Sequence, residues 1–377
     1  MASTFKDIKP SDRVSTRTLL HEAIPITGSI VSGTYNGNGA IALGSEENIK
    51  TYSHGMFQSV YDYPYLSSSA NHIFDITMGY SSKAGATLSA SANTQNSKKV
   101  NIYNEMAQVL VGYDTDGSIL RFDEDGDLVD GGTKIDNCFF MNFSRLLNKD
   151  EIKKGSFSLK LGVDSSFSQA TAGGTTFNKL ITIQDSSGSS GYKVNSPAGE
   201  YGILFATGSN DAQGTVTRST GAGIPCGLIY YQAGVAVISG SVFNDVADGG
   251  LLDNSGAGTS VLGPNFASTG FNAITGSSID TIANGIRNRI YDVSFNNTTE
   301  LNSTIYFCRA NHNDFNYSAN PTYLSESKIR VKNVSTDAPV SYITTVGLYS
   351  ADNELLAVAK LSEPLKKNPE TELTLRV

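Results

Sequence analysis

The chain has 377 residues, a mass of 40.0 kDa and a net charge of −8, with 39% hydrophobic residues, only 17% charged residues, 37 glycines and no tryptophan. An acidic balance with a pI near 5.1 lacks the clustered Lys and Arg on which phosphate-backbone affinity rests, so nucleic acid is excluded as the expected partner. Low charge with abundant Gly, Ser, Thr and Asn is the composition of a β protein with many turns, and the length allows two or three domains or one large β domain carrying an insertion.

The N-terminal stretch MASTFKDIKPSDRVSTRTLL carries charges throughout and has no apolar core of a signal peptide, and no later run approaches the ~18 apolar residues of a membrane span. The expectation is a soluble protein made in the cytoplasm, with no membrane partner. Phe74, Ile76, Met78 and Tyr80 alternate with Asp75, Thr77 and Gly79, and Phe157, Leu159, Leu161 and Val163 alternate with Ser158, Lys160 and Gly162. Both runs have the period of two that marks half-buried strands. Between them, Lys98 to Val111 sets Val100, Tyr103, Ala107, Leu110 and Val111 at helical spacing, with Asn96 or Ser97 as cap and Gly112 as stop. A second, shorter helix is expected over Asp150 to Lys154, ended by Gly155.

From about Asp164 to Glu300 the composition changes. This stretch holds 21 of the 37 glycines and has no Lys or Arg between Arg218 and Arg287. Short apolar runs, Leu180 to Ile183, Ile203 to Phe205, Leu228 to Tyr231 and Val235 to Ile238, stand between Gly/Ser/Asp turns, as in a β sandwich or β-rich insertion. Disorder is the alternative for Ser186 to Gly191. From Ser303 the earlier character returns, with strands expected over Ile305 to Cys308, Ile329 to Val334, Tyr342 to Tyr349, Leu355 to Leu361 and Leu373 to Val377, and a hairpin turn at Ser350 to Glu354. The fold class expected is mainly β with a few helices (α+β). Residues 1–163 and 301–377 would form one discontinuous core domain and residues 164–300 an inserted Gly-rich β module.

Candidate chemistry is sparse. Cys138, Cys226 and Cys308 are odd in number and far apart, which reads as free thiols and not as a disulfide framework. The four histidines, His21, His54, His72 and His312, show no metal-ligand spacing, and there is no GxxxxGK[ST], GxSxG or complete GxGxxG. No enzyme and no cofactor are expected. The Asn-x-Ser/Thr triplets carry no weight without a secretion signal. The weak metal candidates are Asp123, Asp125 and Asp127, because calcium wants clustered carboxylate oxygens. If they were ligands 1, 3 and 5 of an EF-hand loop, the required glycine would fall at Leu128 and the required glutamate at Lys134. Asp-Gly pairs are also hairpin chemistry, and Ile119, Leu120 and Phe122 fit a strand between two such turns.

The stretch SHGMFQSVYDYPYLSSSANHIFDIT, Ser53 to Thr77, reads instead as a contact surface. Tyr61, Tyr63, Tyr65 and Phe57 interleave with Ser and Asn, Pro64 extends the backbone of Tyr63, and tyrosine combines a large apolar ring with a polar tip suited to interfaces between soluble subunits. Tyr349 is the corresponding candidate in the last third. A core-edge loop with satisfied tyrosines is the plain alternative.

These residues also carry a resemblance. SHGMFQSVYDYPYLSSSANHIFDIT, NTQNSKKVNIYNEMAQVLVGYD, CFFMNFSRLLNKDEIKKGSF, NYSANPTYL and ITTVGLYSADNELLAVAKLSEPLKK resemble virion structural proteins of contractile-tailed bacteriophages, particularly marine and cyanobacterium-infecting ones. The resemblance covers about residues 5–163 and 306–377 and leaves out the Gly-rich middle. The C-terminal pattern is similar in outline to the end of baseplate wedge proteins. The resemblance implies a baseplate or tail-attached component located in the virion, contacting other virion proteins in several copies around the tail axis. A neck, collar or capsid-attached position remains open under the same resemblance. A receptor- or carbohydrate-binding tail module, with tyrosines stacking on sugars, is the alternative class.

Overall fold

The computed structural model describes residues 5–19, 24–26, 48–62, 65–83, 95–129, 131–147, 150–162, 180–210, 214–215, 223–243, 276–287, 289–316, 324–325, 328–329 and 340–377. The protein is mainly β with a few helices, the α+β class expected. Its strands in chain order begin with β1 (Arg13–Leu19), β2 (Ile24–Ile26), β3 (Ile49–Thr51), β4 (Gln58–Tyr61) and β5 (His72–Tyr80). After helix α1 (Asn96–Leu110) come β6 (Phe122–Asp123), β7 (Lys134–Ile135), β8 (Asn137–Asn142), β9 (Glu151–Ile152) and β10 (Ser158–Gly162). Then follow β11 (Leu180–Gln184), β12 (Lys193–Ser196), β13 (Gly199–Asn210), β14 (Gly214–Thr215), β15 (Ile224–Tyr230) and β16 (Val235–Ser239). Helix α2 (Ile279–Arg287) precedes β17 (Ile290–Thr298), β18 (Glu300–Ala310), β19 (Leu324–Ser325), β20 (Lys328–Ile329), β21 (Ser341–Tyr349), β22 (Leu355–Lys367) and β23 (Leu373–Arg376).

The chain divides into two compact units, residues 20–299 and residues 1–19 with 300–377. The expected division placed its boundaries at 163/164 and 300/301, with the middle as a separate module. The second boundary falls within one residue of that expectation, at 299/300, but the first does not hold: strands on both sides of residue 163 share one 14-stranded sheet, whose main path runs β2-β17-β10-β11-β13-β15-β16-β8-β5-β4-β3. β10 pairs with β11 and β17, and β16 pairs with β8. The apolar runs of the Gly-rich stretch are therefore laid between the strands of the first third, and their side chains fill the same core. Composition marked where the turns are dense, not where a domain ends.

Unit 20–299 is held by one core on each face of this sheet. On β8, Phe139 and Met141 face the first core while Cys138 and Phe140 face the second; on β16, Ala236 and Ile238 face the first while Val237 faces the second. The first core also collects Phe74 of β5, Leu159 of β10, Ile181 of β11, Phe295 of β17 and, from α2, Ile282 and Ile286. Phe143, just past β8, lies 5.7 Å from the ring of Phe74 and 5.4 Å from that of Phe295. β5 and β17 stand seven strands apart along the sheet, roughly 34 Å if it were flat. One ring reaching both means that the sheet curls around this core, with α2 packed inside the curl.

The second core is capped by α1, whose buried stripe is Lys99, Ile102, Tyr103, Ala107 and Leu110. Val100, expected on that stripe, packs partly buried against the first core instead. The helix lies so close to β5 that a Cβ on Gly79 would stand 2.6 Å from the Lys99 carbonyl oxygen and 2.7 Å from the Tyr103 nitrogen. Glycine at that position lets the two backbones touch. The cap expected at Asn96 or Ser97 is not formed: Gln95 holds the N-cap position at φ 57°, and its side-chain Oε1 accepts from the Ile279 N–H at 3.0 Å. Gly112 ends the helix at φ 95°, as its position implied.

The short helix expected over Asp150 to Lys154 is corrected. Glu151 and Ile152 form β9 against β17, and the Ile152 N–H donates to Tyr231 O at 3.0 Å. A five-residue amphipathic stretch cannot offset helix nucleation, whereas two ladder contacts fix it as a strand. Ser186 to Gly191 contains a helical turn at Gly188–Gly191.

Unit 1–19 with 300–377 is built differently. It holds the three-stranded antiparallel sheet β1-β18-β23, the hairpin β21-β22 and the short pair β19-β20. The turn of the β21-β22 hairpin falls at Ser350 to Glu354 as expected, closed by Ser350 N–H to Glu354 O at 2.8 Å and by Asn353 at φ 63°. The strand expected over Ile329 to Val334 is described only as far as β20, and its remainder lies outside the described residues.

Candidate interaction surface

In unit 1–19 with 300–377, the only buried hydrophobic residues among those described are Ala310 and Val340. Hydrogen bonds and ion pairs hold the unit together. β1 is tied to β18 by Ser15 with Thr304 (3.2 Å), Thr16 with Ser303 (2.7 Å) and the Arg17–Glu300 pair (2.6 Å). The Lys367 ammonium donates to His312 O, Asn316 Oδ1 and Asn368 O, and Lys6 pairs with Asp314 at 2.6 Å. Tyr342, Tyr349, Leu355, Leu356 and Val358 of the hairpin are exposed, with Leu356 at 67% and Tyr342 at 63%. Neither strand has a buried face: β21 alternates half-buried and exposed positions, and β22 is mostly exposed until Lys367. Tyr349, singled out from sequence, is 46% exposed and meets Phe5 edge-on at 5.0 Å. Tyr342, Leu356 and Val358 were not singled out, although the alternation around them is plain in the sequence.

The aromatic run of the first third is only partly a surface. Phe57 is half-buried and packs on Tyr52 (4.7 Å) and His54 (5.1 Å). Tyr61 is half-buried between Tyr65 (6.2 Å) and the edge of His72 (5.4 Å). Tyr65 is exposed at 37%, beside Leu66 at 87%. Tyr63 lies outside the described residues. Beneath the run, Asp75 Oδ1 takes both the Ser59 hydroxyl at 2.5 Å and His72 Nε2 at 2.7 Å. Burial pushes the Asp75 carboxyl up, but the bonds from His72 and Ser59 outweigh it and hold the group below its usual range. Serine and histidine both point at one carboxylate, so this array lacks the Ser–His contact that activates a nucleophile.

The acidic stretch forms a compact loop between β6 and β7. Carboxylate oxygens of Asp123, Asp125 and Asp127 lie within 4.8 Å of one another, with Asp123 buried and the other two exposed. Asp125 Oδ1 accepts from Asp127 N–H at 3.2 Å, and Asp127 Oδ1 from Val129 N–H at 2.9 Å. The Val129 bond leads the causes that hold the Asp127 carboxyl below its usual range. Lys134 reaches into this loop from β7, a contact that sequence spacing did not disclose.

Another polar cluster went unforeseen. The Lys154 ammonium lies 3.1 Å from Glu151 and 2.7 Å from Glu200, over the rings of Tyr192 and Tyr231, and the Tyr231 hydroxyl donates to Asp185 at 2.7 Å. Burial raises the Asp185 carboxyl above its usual range in spite of the Tyr231 and Gly155 bonds. The cluster ties β9, β11 and β13 to the turn between β15 and β16; its members are separated by up to 80 residues of sequence, so no local motif marks it.

No described helix is long and apolar enough to cross a membrane. Comparison with protein-family models, curated proteins and solved structures finds no match to this chain.

Proposed function

We propose that this chain is a structural subunit that acts by contacts with other subunits and not by turnover, in the class of virion proteins of contractile-tailed bacteriophages, as a baseplate wedge or other tail-attached component. The observation that carries the assembly part is the unit formed by residues 1–19 and 300–377, whose described residues bury two apolar side chains while a hairpin displays Tyr342, Tyr349, Leu355, Leu356 and Val358. Small sheets need an apolar face covered to be stable in water, and exposed aromatic and aliphatic rows mark interaction sites. A subunit that completes this unit's core in the assembled particle satisfies both requirements. The virion class itself rests on the sequence resemblance, whose C-terminal part falls on the same hairpin.

The test is assembly. The purified chain, alone and mixed with the other structural proteins of its particle, is followed by sedimentation velocity and mass photometry, beside a Leu356→Glu, Val358→Glu variant. The expected result is discrete higher-order species for the natural chain and their loss in the variant, with the near-UV circular dichroism of unit 20–299 retained. Association unaffected by the double substitution would sink the proposed surface. A monomer that instead binds glycans on an array, with binding lost in Tyr65→Ala, would favour the sugar-binding reading.

A further inference from the structure

The loop Asp123–Lys134 places Asp123, Asp125 and Asp127 where a twelve-residue calcium loop carries ligands 1, 3 and 5, and its two ends are cross-strand partners in β6 and β7. Leu128, at the position that calls for glycine, takes φ 60° and donates its N–H to Asp123 Oδ2 at 3.0 Å. A leucine held in the left-handed region is unusual, and surrounding contacts must hold it there. Position 7 of such a loop supplies a backbone carbonyl, here that of Val129, and position 12 supplies a glutamate, here Lys134. The Lys134 ammonium lies 2.8 Å from Asp123 Oδ2 and 2.6 Å from Val129 O, so it touches the groups at positions 1 and 7 together. Asp123 is buried and Lys134 half-buried, their side chains 1% and 10% exposed, and Asp123 Oδ1 has no hydrogen-bond partner among the described residues.

We propose that this is a cation loop whose cation is part of the chain: the Lys134 ammonium sits where a divalent ion would bind, so the loop folds without metal and the ion site opens only when the ammonium is removed. The charges agree with this role. Asp123 is buried beside two further carboxylates, and a buried carboxylate needs a cation at hand. An ammonium carried on β7 meets that need at every ion concentration, whereas a bound ion would tie the loop's order to its surroundings. The loop also anchors β12 and β13, because Gly126 O accepts from Asn195 Nδ2 at 3.1 Å and lies 3.1 Å from the Tyr201 hydroxyl. Its order therefore matters beyond its own residues.

The experiment compares the full chain with Lys134→Gln and with Asp123→Asn, Lys134→Gln. Each is melted in EDTA and in millimolar calcium chloride and titrated with terbium, whose luminescence Tyr201 is placed to sensitise. The natural chain should melt at one temperature in both solutions and give no sensitised emission from this loop. Lys134→Gln should melt roughly 5–10 °C lower in EDTA, regain most of that in calcium and bind terbium. The double variant, with the buried charge gone, should recover much of the loss in EDTA and ignore calcium. A calcium-dependent melt in the natural chain overturns the proposal, because the ion would then bind beside the ammonium. So does a Lys134→Gln chain that is unchanged in EDTA or is not rescued by calcium. If Lys134→Gln does not fold in either solution, a folded double variant without calcium rescue of the single one refutes ion replacement, and failure of both refutes a charge-balancing role for Lys134.

Discussion

β8 and β21 are both strands rich in apolar side chains, and they live in opposite surroundings. β8, Asn-Cys-Phe-Phe-Met-Asn, is buried on both faces between β16 and β5, whereas β21, Ser-Tyr-Ile-Thr-Thr-Val-Gly-Leu-Tyr, pairs only with β22 and keeps no buried position. β8 is hydrogen-bonded along both edges and β21 along one. They differ also in the layers above and below: α1 and α2 cover the sheet around β8, and no described element covers the hairpin. Apolar alternation makes a strand, and a covering layer makes a core. Where the described residues supply no such layer, the partner proposed above would supply it.

The largest effect that would test this contrast is expected at Phe143, the fully buried ring that joins two distant strands of the curled sheet, β5 and β17, through Phe74 and Phe295. Phe143→Ala should lower the unfolding free energy by about 3–5 kcal/mol in urea titration, since it leaves a cavity between strands that cannot close on it. A loss below about 1 kcal/mol would mean that the sheet is not pinned by this ring.

A smaller effect concerns Lys99, buried under α1 with its ammonium on Ser277 O at 2.6 Å. Burial pulls its pKa down from 10.5 to about 8. Between those values the unfolded chain holds a proton that the folded chain has released, so this residue makes stability rise as pH climbs from about 8 towards 10.5. Urea midpoints of the natural chain and of Lys99→Met across that window should diverge with that sign. Parallel curves would show that the Ser277 carbonyl keeps the ammonium charged.

The smallest effect on stability is expected on the hairpin. Leu356→Ser and Val358→Thr should each shift the unfolding free energy of the isolated chain by no more than about 0.5 kcal/mol, because neither side chain is covered. A loss comparable with that at Phe143 would show that residues of the chain itself cover the hairpin, and the contrast drawn here would fail.

Much of the unit formed by residues 20–299 was legible as elements. The strands over Phe74 to Tyr80, Leu159 to Leu161 and Val235 to Ile238 lie where alternation or short apolar runs put them, and Gly112 ends α1. Their grouping was not legible, because glycine content reports turn density and says nothing about which strand neighbours which. β10 beside β11 and β17, and β8 beside β16, are pairings across up to 136 residues, and no local signal encodes them. Of the candidate contact residues, Tyr349 is open as foreseen, whereas Phe57 and Tyr61 are half spent on neighbouring rings, a distinction that depends on where His54 and His72 fall in space.

By itself the sequence determined the β-rich class, most strand and turn positions, the main helix and the cluster of three aspartates, since each follows from spacing along the chain and from the conformations that Gly, Asn and Asp allow. Tertiary structure alone decided that the Gly-rich stretch belongs to the sheet of the first third, that one ring spans its curl, and that Lys134 stands among the aspartates. Those outcomes depend on the distance between side chains remote in sequence, which is fixed only when the sheet closes over its core.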